Sequence, residues 1–192
     1  VREVLNSKTN VVVLGNHGLI VAAETVDAVR DLQNRVHAAL AIDPVLVEDA
    51  APAQLDKICE GGDFVPVGDP MVHQIAMTQV RVNQTTGGSL YPDHVIFCGI
   101  AVMALVSGET PDAALARARD LGLPPPVCLL VPNEGMIVQR NASQGTHVMM
   151  RCLADVVTRL PEDAQLTYLS DAQNMELLDW DAEKYRRALN AG

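Results

Sequence analysis

The stretch VVVLGNHGLIVAAET, Val11 to Thr25, decides how the first part of this chain folds. Two apolar runs of strand length flank Asn16-His17-Gly18. Asn and Gly both tolerate the positive φ that a tight hairpin needs. The turn is complete without a histidine, so the imidazole between them stands out as a titratable, metal-competent group. Thr25 then offers a helix N-cap, with Asp27 in the first turn. Val26, Val29, Leu32, Val36 and Leu40 recur every three or four residues, which predicts a one-sided helix ended by Asp43-Pro44.

The chain nearly repeats this pattern in CLLVPNEGMIVQRNAS, Cys128 to Ser143. A shift of 117 residues sets Asn16 on Asn133 and Gly18 on Gly135, with Glu134 where the histidine stands. Strand, turn, strand, cap and helix recur in the same order to within a residue. This points to a duplication, or to the same local physics reached twice. Only the middle residue of the turn differs, and chemistry could differ there.

Composition narrows the classes. Hydrophobic residues make up 48% of the 192 and aromatics only 3%, so the core must be built from Val, Leu, Ala, Ile and Met. A net charge of −10 and the lack of any basic run argue against nucleic acid or an anionic membrane as partner. The longest apolar runs, such as Val95–Val106, fall well short of the roughly 20 residues of a membrane span. No signal-peptide pattern is read at the start, and a cytoplasmic location is expected. Cys59, Cys98, Cys128 and Cys152 lie far apart without a C-x-x-C pair, which favours reduced thiols over disulfides or a zinc knuckle.

A mixed α/β chain in three segments is expected. Residues 1–47 form the first hairpin–helix unit. Residues 48–89 read as a helical linker region, in which Asp69-Pro70 starts a helix and NQTTGGS makes a loop. Residues 90–192 form a second small α/β domain, with HVIFCG and IAVMALV as strands. Its next helix opens at Thr110-Pro111-Asp112 and closes at Gly122. The strand pair around Asn133-Glu134-Gly135 follows, then a helix over 143–160 with Val148, Cys152, Val156 and Leu160 on one face. LTYL could add a short strand. Ser170 with Gln173 makes a capping box for a last helical region divided near Asp179.

VLGNHGLIVAAETVDAV resembles the C-terminal part of a class II aldolase/adducin-family domain. That resemblance implies an α/β/α domain of which this chain holds the C-terminal piece. It implies a metal-dependent lyase or epimerase acting on a small sugar, phosphorylated or not. His17 would be the third ligand of a divalent metal, of zinc type. Three imidazoles leave an open position on zinc, where a hydroxy-ketone can bind and an enediolate be stabilised. The family's His-x-His pair, catalytic carboxylate and phosphate-binding residues have no counterpart here. His37, His73, His94 and His147 are scattered. The chain is therefore expected to be a segment of a longer polypeptide whose N-terminal catalytic half lies outside it, and not to bind the metal alone. GGSLYPDHVIFCG and LLDWDAEKYRRAL resemble, more weakly, the extension of longer rhamnulose-phosphate-aldolase-like proteins. No G-x-G-x-x-G dinucleotide motif is present. A homo-oligomer is expected.

Other candidates are weighed against plainer readings. Asp93-His94 could orient a substrate or place an acid–base histidine, but a strand-entry pair is favoured. Glu134 reads as a solvated turn residue, and His73 and His147 as surface or boundary positions on helices. Trp180, Tyr185 and Leu189 read as an anchor for the last helix. The alternatives to the enzyme are a non-catalytic adducin-like interaction module and a small-molecule-binding domain with its cleft near Asp93.

Overall fold

A computed structural model describes residues 6, 8–47, 54–181 and 185. The chain divides into two compact units, Val1–Asp43 and Pro44–Gly192. Among the described residues no helix is long and apolar enough to cross a membrane.

In the first unit, β1 (Val11–Leu14) and β2 (Gly18–Val21) pair antiparallel from Leu14↔Gly18 to Val11↔Val21. The His17 N–H donates to the Leu14 carbonyl at 3.2 Å and closes the turn. Asn16 takes φ +56° and Gly18 φ +147°, the conformations for which the sequence reserves them. Helix α1 (Val26–Leu40) follows, and the Thr25 hydroxyl accepts the Ala28 N–H at 3.2 Å, as the cap reading requires. The apolar stripe expected on α1 is barely covered. Leu32 is its one buried residue, while Val26 and Leu40 are 74% and 64% exposed.

The second unit is built on a four-stranded sheet. Its members are β3 (Phe64–Pro66), β4 (Met103–Ala104), β5 (Cys128–Val131) and β6 (Gly135–Gln139), in spatial order β3-β6-β5-β4. β6 is antiparallel to both neighbours, and β4 runs parallel to β5. The helices are α2 (Leu55–Ile58), α3 (Pro70–His73), α4 (Gln79–Thr86), α5 (Pro92–Cys98), α6 (Pro111–Asp120), α7 (Gln144–Val157) and α8 (Asp171–Asp179). One turn of 3-10 helix, Gln74–Ala76, follows α3.

Both faces of the central strands are buried, so β5 and β6 read as continuous apolar runs. Cys128, Leu130, Met136 and Val138 face a core shared with α3 and α7. Leu129, Val131 and Ile137 face a second core with Leu55 of α2 and Ala114 of α6. Helix, sheet and helix layers result. Each large apolar side chain fully buried here stabilises the unit by about 2 kcal/mol.

The repeat holds at the level of structure. Asn133 takes φ +65° and Gly135 φ +148°, the Glu134 N–H donates to Val131 at 3.0 Å, and α7 begins after a Ser143 cap. Surroundings separate the copies. Leu130, Met136 and Ile137 are fully buried, whereas their counterparts Val13, Leu19 and Ile20 are 70%, 41% and 49% exposed.

Several expectations are corrected. HVIFCG forms α5, not a strand. Pro92 supplies its first turn, Asp93 sits in that turn, and Gly99 ends it at φ +89°, signals that outweigh the β-branched residues. IAVMALV contributes only the two residues of β4. On α7 the buried residues are Thr146, Met150, Leu153, Ala154 and Val157, one turn-face away from the stripe read at Val148, which is 54% exposed. Leu166–Leu169 forms no strand. Instead the Leu169 N–H donates to Ser89, and the Tyr168 ring lies against Gly87 and Gly88, where any Cβ would approach it to below 3 Å. Residues 48–89 supply, among the described ones, β3 and the helices under the sheet. Trp180 and Tyr185 are 58% and 68% exposed, and Leu189 lies outside the described residues. All four cysteines are free.

Candidate functional site

His17 sits exposed at the tip of the first hairpin. Its side chain is placed there by the turn that Asn16 and Gly18 make. Among the described residues no three His, Cys, Asp or Glu side chains come together as a group able to hold a metal ion. A single imidazole does not hold zinc tightly.

The Asp93-His94 pair is placed differently from the strand entry read in the sequence. His94 lies on α5 with no exposure at all. Its Nδ1 accepts the Leu90 N–H at 3.5 Å, its Nε2 is buried with no hydrogen-bond partner among the described residues, and the Tyr91 ring tilts against it at 5.8 Å. Burial holds its pKa down to about 4, so the ring is neutral. The Tyr91 hydroxyl, also buried, is pushed up first by the same desolvation and then by the Cys152 thiol beside it. The neighbouring Cys98 thiol is raised by its contact with Cys128, then by burial. Such a neutral, enclosed histidine is a core residue.

His73 also departs from the surface or boundary reading. It is 4% exposed, and its Nδ1 accepts the Met136 N–H at 3.1 Å. Together with the Asn133 N–H donating to the Ala76 carbonyl at 2.9 Å, this clamps the second hairpin onto the turn below it. His147 is exposed, as expected.

The second turn also opens onto a cleft of about 820 Å³. That volume lies within the range of small-molecule sites. Its walls are the loop after β4, the N-terminus of α6, the turn Pro132-Asn133-Glu134, and α2 with its Gly61-Gly62 exit. It therefore lies outside the carboxyl ends of the parallel pair β4–β5, the crevice where open α/β sheets place their ligands. Glu134, read from sequence as a solvated turn residue, is half-buried in this wall and accepts the Gln54 N–H at 3.2 Å.

The loop after β4 is braced from within. The Glu109 carboxylate accepts the Val106 N–H at 2.9 Å and a forked pair from Arg117, Nε and one terminal nitrogen both at 2.8 Å. The same Arg117 nitrogen donates to the Ala104 carbonyl at 2.8 Å. The Arg117 fork holds the Glu109 carboxyl below its ordinary range. Rigid support of this kind keeps the mouth of a cleft in shape.

Neither Lys57 nor Glu109 or Arg117 stands out in the sequence, since Lys57 lies fifty residues or more from the other two and all three sit among ordinary surface residues. Only the Gly108 and Gly122 turns and the Thr110 cap hint at the crossover. Asp93 and His94 are not part of the cleft wall. Comparison with protein-family models, curated proteins and solved structures gives no match for this chain.

Proposed function

We propose that this chain is part of a class II aldolase-like protein, a metal-dependent lyase or epimerase of a small sugar, phosphorylated or not, in which His17 is one metal ligand. A comparison inside the chain carries this reading. The Asn133-Glu134-Gly135 turn closes with the same hydrogen bond and the same positive φ values as Asn16-His17-Gly18. An imidazole is thus not needed for the turn, yet one is held exposed at its tip. Its partner ligands are assigned outside the described residues, and no reaction step is drawn through the metal.

The test is made on the full natural polypeptide that carries this sequence. Stoichiometric divalent metal is expected, with most of it lost in His17→Ala, along with cleavage or epimerisation of hydroxy-ketone phosphates. Metal-free protein whose activity is unchanged by His17→Ala overturns the reading.

A second reading, a non-catalytic adducin-like interaction module, draws on a different observation. Val13, Leu19 and Ile20 stay exposed where their counterparts in the second copy are covered. A protein without metal or activity that self-associates through these residues would favour it.

A further inference from the structure

We propose that the cleft beside Glu134 binds an uncharged, hydroxyl-rich small molecule of monosaccharide size, independently of any metal at His17. It takes up, in a different place, the possibility that the second unit is a small-molecule-binding domain. It does not depend on the aldolase-like reading, since none of its residues belongs to the first unit.

The chemistry of the wall selects the ligand. The floor is apolar, formed by Ile58, Phe64, Leu105 and Val131. Phe64, Leu105 and Val131 are 1%, 6% and 7% exposed, so they offer a ligand little surface and the groups it meets are chiefly polar. Around the floor stand groups that accept or donate hydrogen bonds: the carboxylates of Glu60, Asp112 and Glu134, the Asn133 amide, the Ser107 hydroxyl and the Lys57 ammonium. Carboxylates accept only, while hydroxyls and amides do both, so the set matches a ligand carrying several O–H groups.

Charge argues against an anion. Among the described lining residues Lys57 is the one cation, beside three carboxylates other than the Arg117-bound Glu109, while Arg140 donates to the carbonyl of the lining residue Gly62 at 3.5 Å. Arg117 is spent on Glu109 and Ala104 and offers no fork for phosphate. A phosphate ester would meet this excess of carboxylate in a protein already at −10. The same excess of carboxylate makes a cation the competing occupant, which the glucosamine arm of the test distinguishes. Backbone adds room: at Gly61 and Gly108, with φ +73° and +77°, an added Cβ would meet nothing within 4 Å.

The test is amide chemical-shift mapping on the whole 192-residue chain. Three probes of equal ring size are titrated to 100 mM: glucose, glucose 6-phosphate and glucosamine, followed by fructose and ribose as further uncharged probes. At least one uncharged sugar is expected to shift Ser107, Gly108 and Asn133 with saturation. The phosphate is expected to bind at least tenfold more weakly, and the amine no more tightly than glucose. Ser107→Trp, which fills the cleft from an exposed position, should abolish the shifts. Glu134→Gln, which keeps the acceptor for Gln54, should weaken binding three- to tenfold and serves if the larger change unfolds the chain. No saturable shift in the cleft with any uncharged sugar, or tighter binding of the phosphate or the amine, overturns the proposal. His17→Ala leaves this binding unchanged, so its failure and that of the metal reading are separately visible.

Discussion

The Nδ1 of His73 accepts the backbone N–H of Met136 at 3.1 Å, directly beside Gly135. A Cβ at Gly135 would stand 2.3 Å from that nitrogen. Gly135→Ala must therefore break the clamp as well as strain φ +148°. A cost of about 3 kcal/mol or more is expected, read as a fall of roughly 6–12 °C in Tm. Gly18→Ala shares the φ but meets open space, so it costs only the backbone strain of about 1–2 kcal/mol within the first unit. Thermal unfolding followed through the single tryptophan, Trp180 in the second unit, separates the two. Equal losses from both substitutions would contradict this account.

Stability should fall with acid through the buried histidines. The folded pKa of His94 is about 4 and that of His73 is also lowered by burial, while an unfolded histidine titrates near 6.5. Below pH 6.5 the unfolded chain takes up protons that the folded chain does not. Their contribution is thus fully present above pH 6.5 and is lost as pH falls toward 4. For His94 alone the loss is about 3 kcal/mol. Denaturant midpoints measured from pH 7.5 to 4 should show it. His94→Asn keeps an acceptor near Leu90 and should give a flatter profile; an unchanged slope would assign the acid sensitivity elsewhere.

Arg117→Met keeps the aliphatic stem of the side chain but removes the fork from Glu109. The carboxylate, whose side chain is 8% exposed, keeps only the Val106 N–H. Because Arg117 is itself one-third exposed, the expected cost is modest, about 1–3 kcal/mol. Glu109→Gln should be milder, since the amide oxygen still accepts. The sign with pH is opposite to a lysine or histidine gaining a partner. The pKa of Glu109 is lowered on folding, so its contribution is present at neutral pH and lost in acid. Urea titrations of both variants at pH 7 and pH 4 check the order.

His17→Ala should leave stability within about 0.5 kcal/mol of the parent, because the ring is exposed and the turn rests on its neighbours. Asn16→Ala, which puts a less tolerant residue at φ +56°, should cost more. A large loss in His17→Ala would make the imidazole structural and remove the ground for assigning it to a metal.

Local signals in the sequence carried much of the fold. The Asn-Gly turns, the caps at Thr25, Asp69, Thr110 and Ser143, and the Ser170–Gln173 box all act within four residues, and each forms as read. HVIFCG favours strand through Val95, Ile96 and Phe97, yet Pro92 and Gly99 frame a helix there. Burial was the harder quantity. His73 became a core acceptor only because β6 passes above α3, a contact across 63 residues. The cleft is illegible for the same reason: its walls come from three separated segments, joined only when β4 pairs with β5 and β3 with β6.

The two hairpins also differ in what lies beside them. β5 and β6 sit inside a four-stranded sheet, whereas β1 and β2 make a two-stranded ribbon whose outer edges pair with no described strand. Nearly the same turn thus closes two ladders of very different permanence. Amide protons of β1 and β2 should exchange with deuterated solvent through local opening, and those of Leu129, Leu130 and Ile137 only when the second unit unfolds as a whole. The molecule carries, in effect, a fast clock and a slow one written in closely similar words.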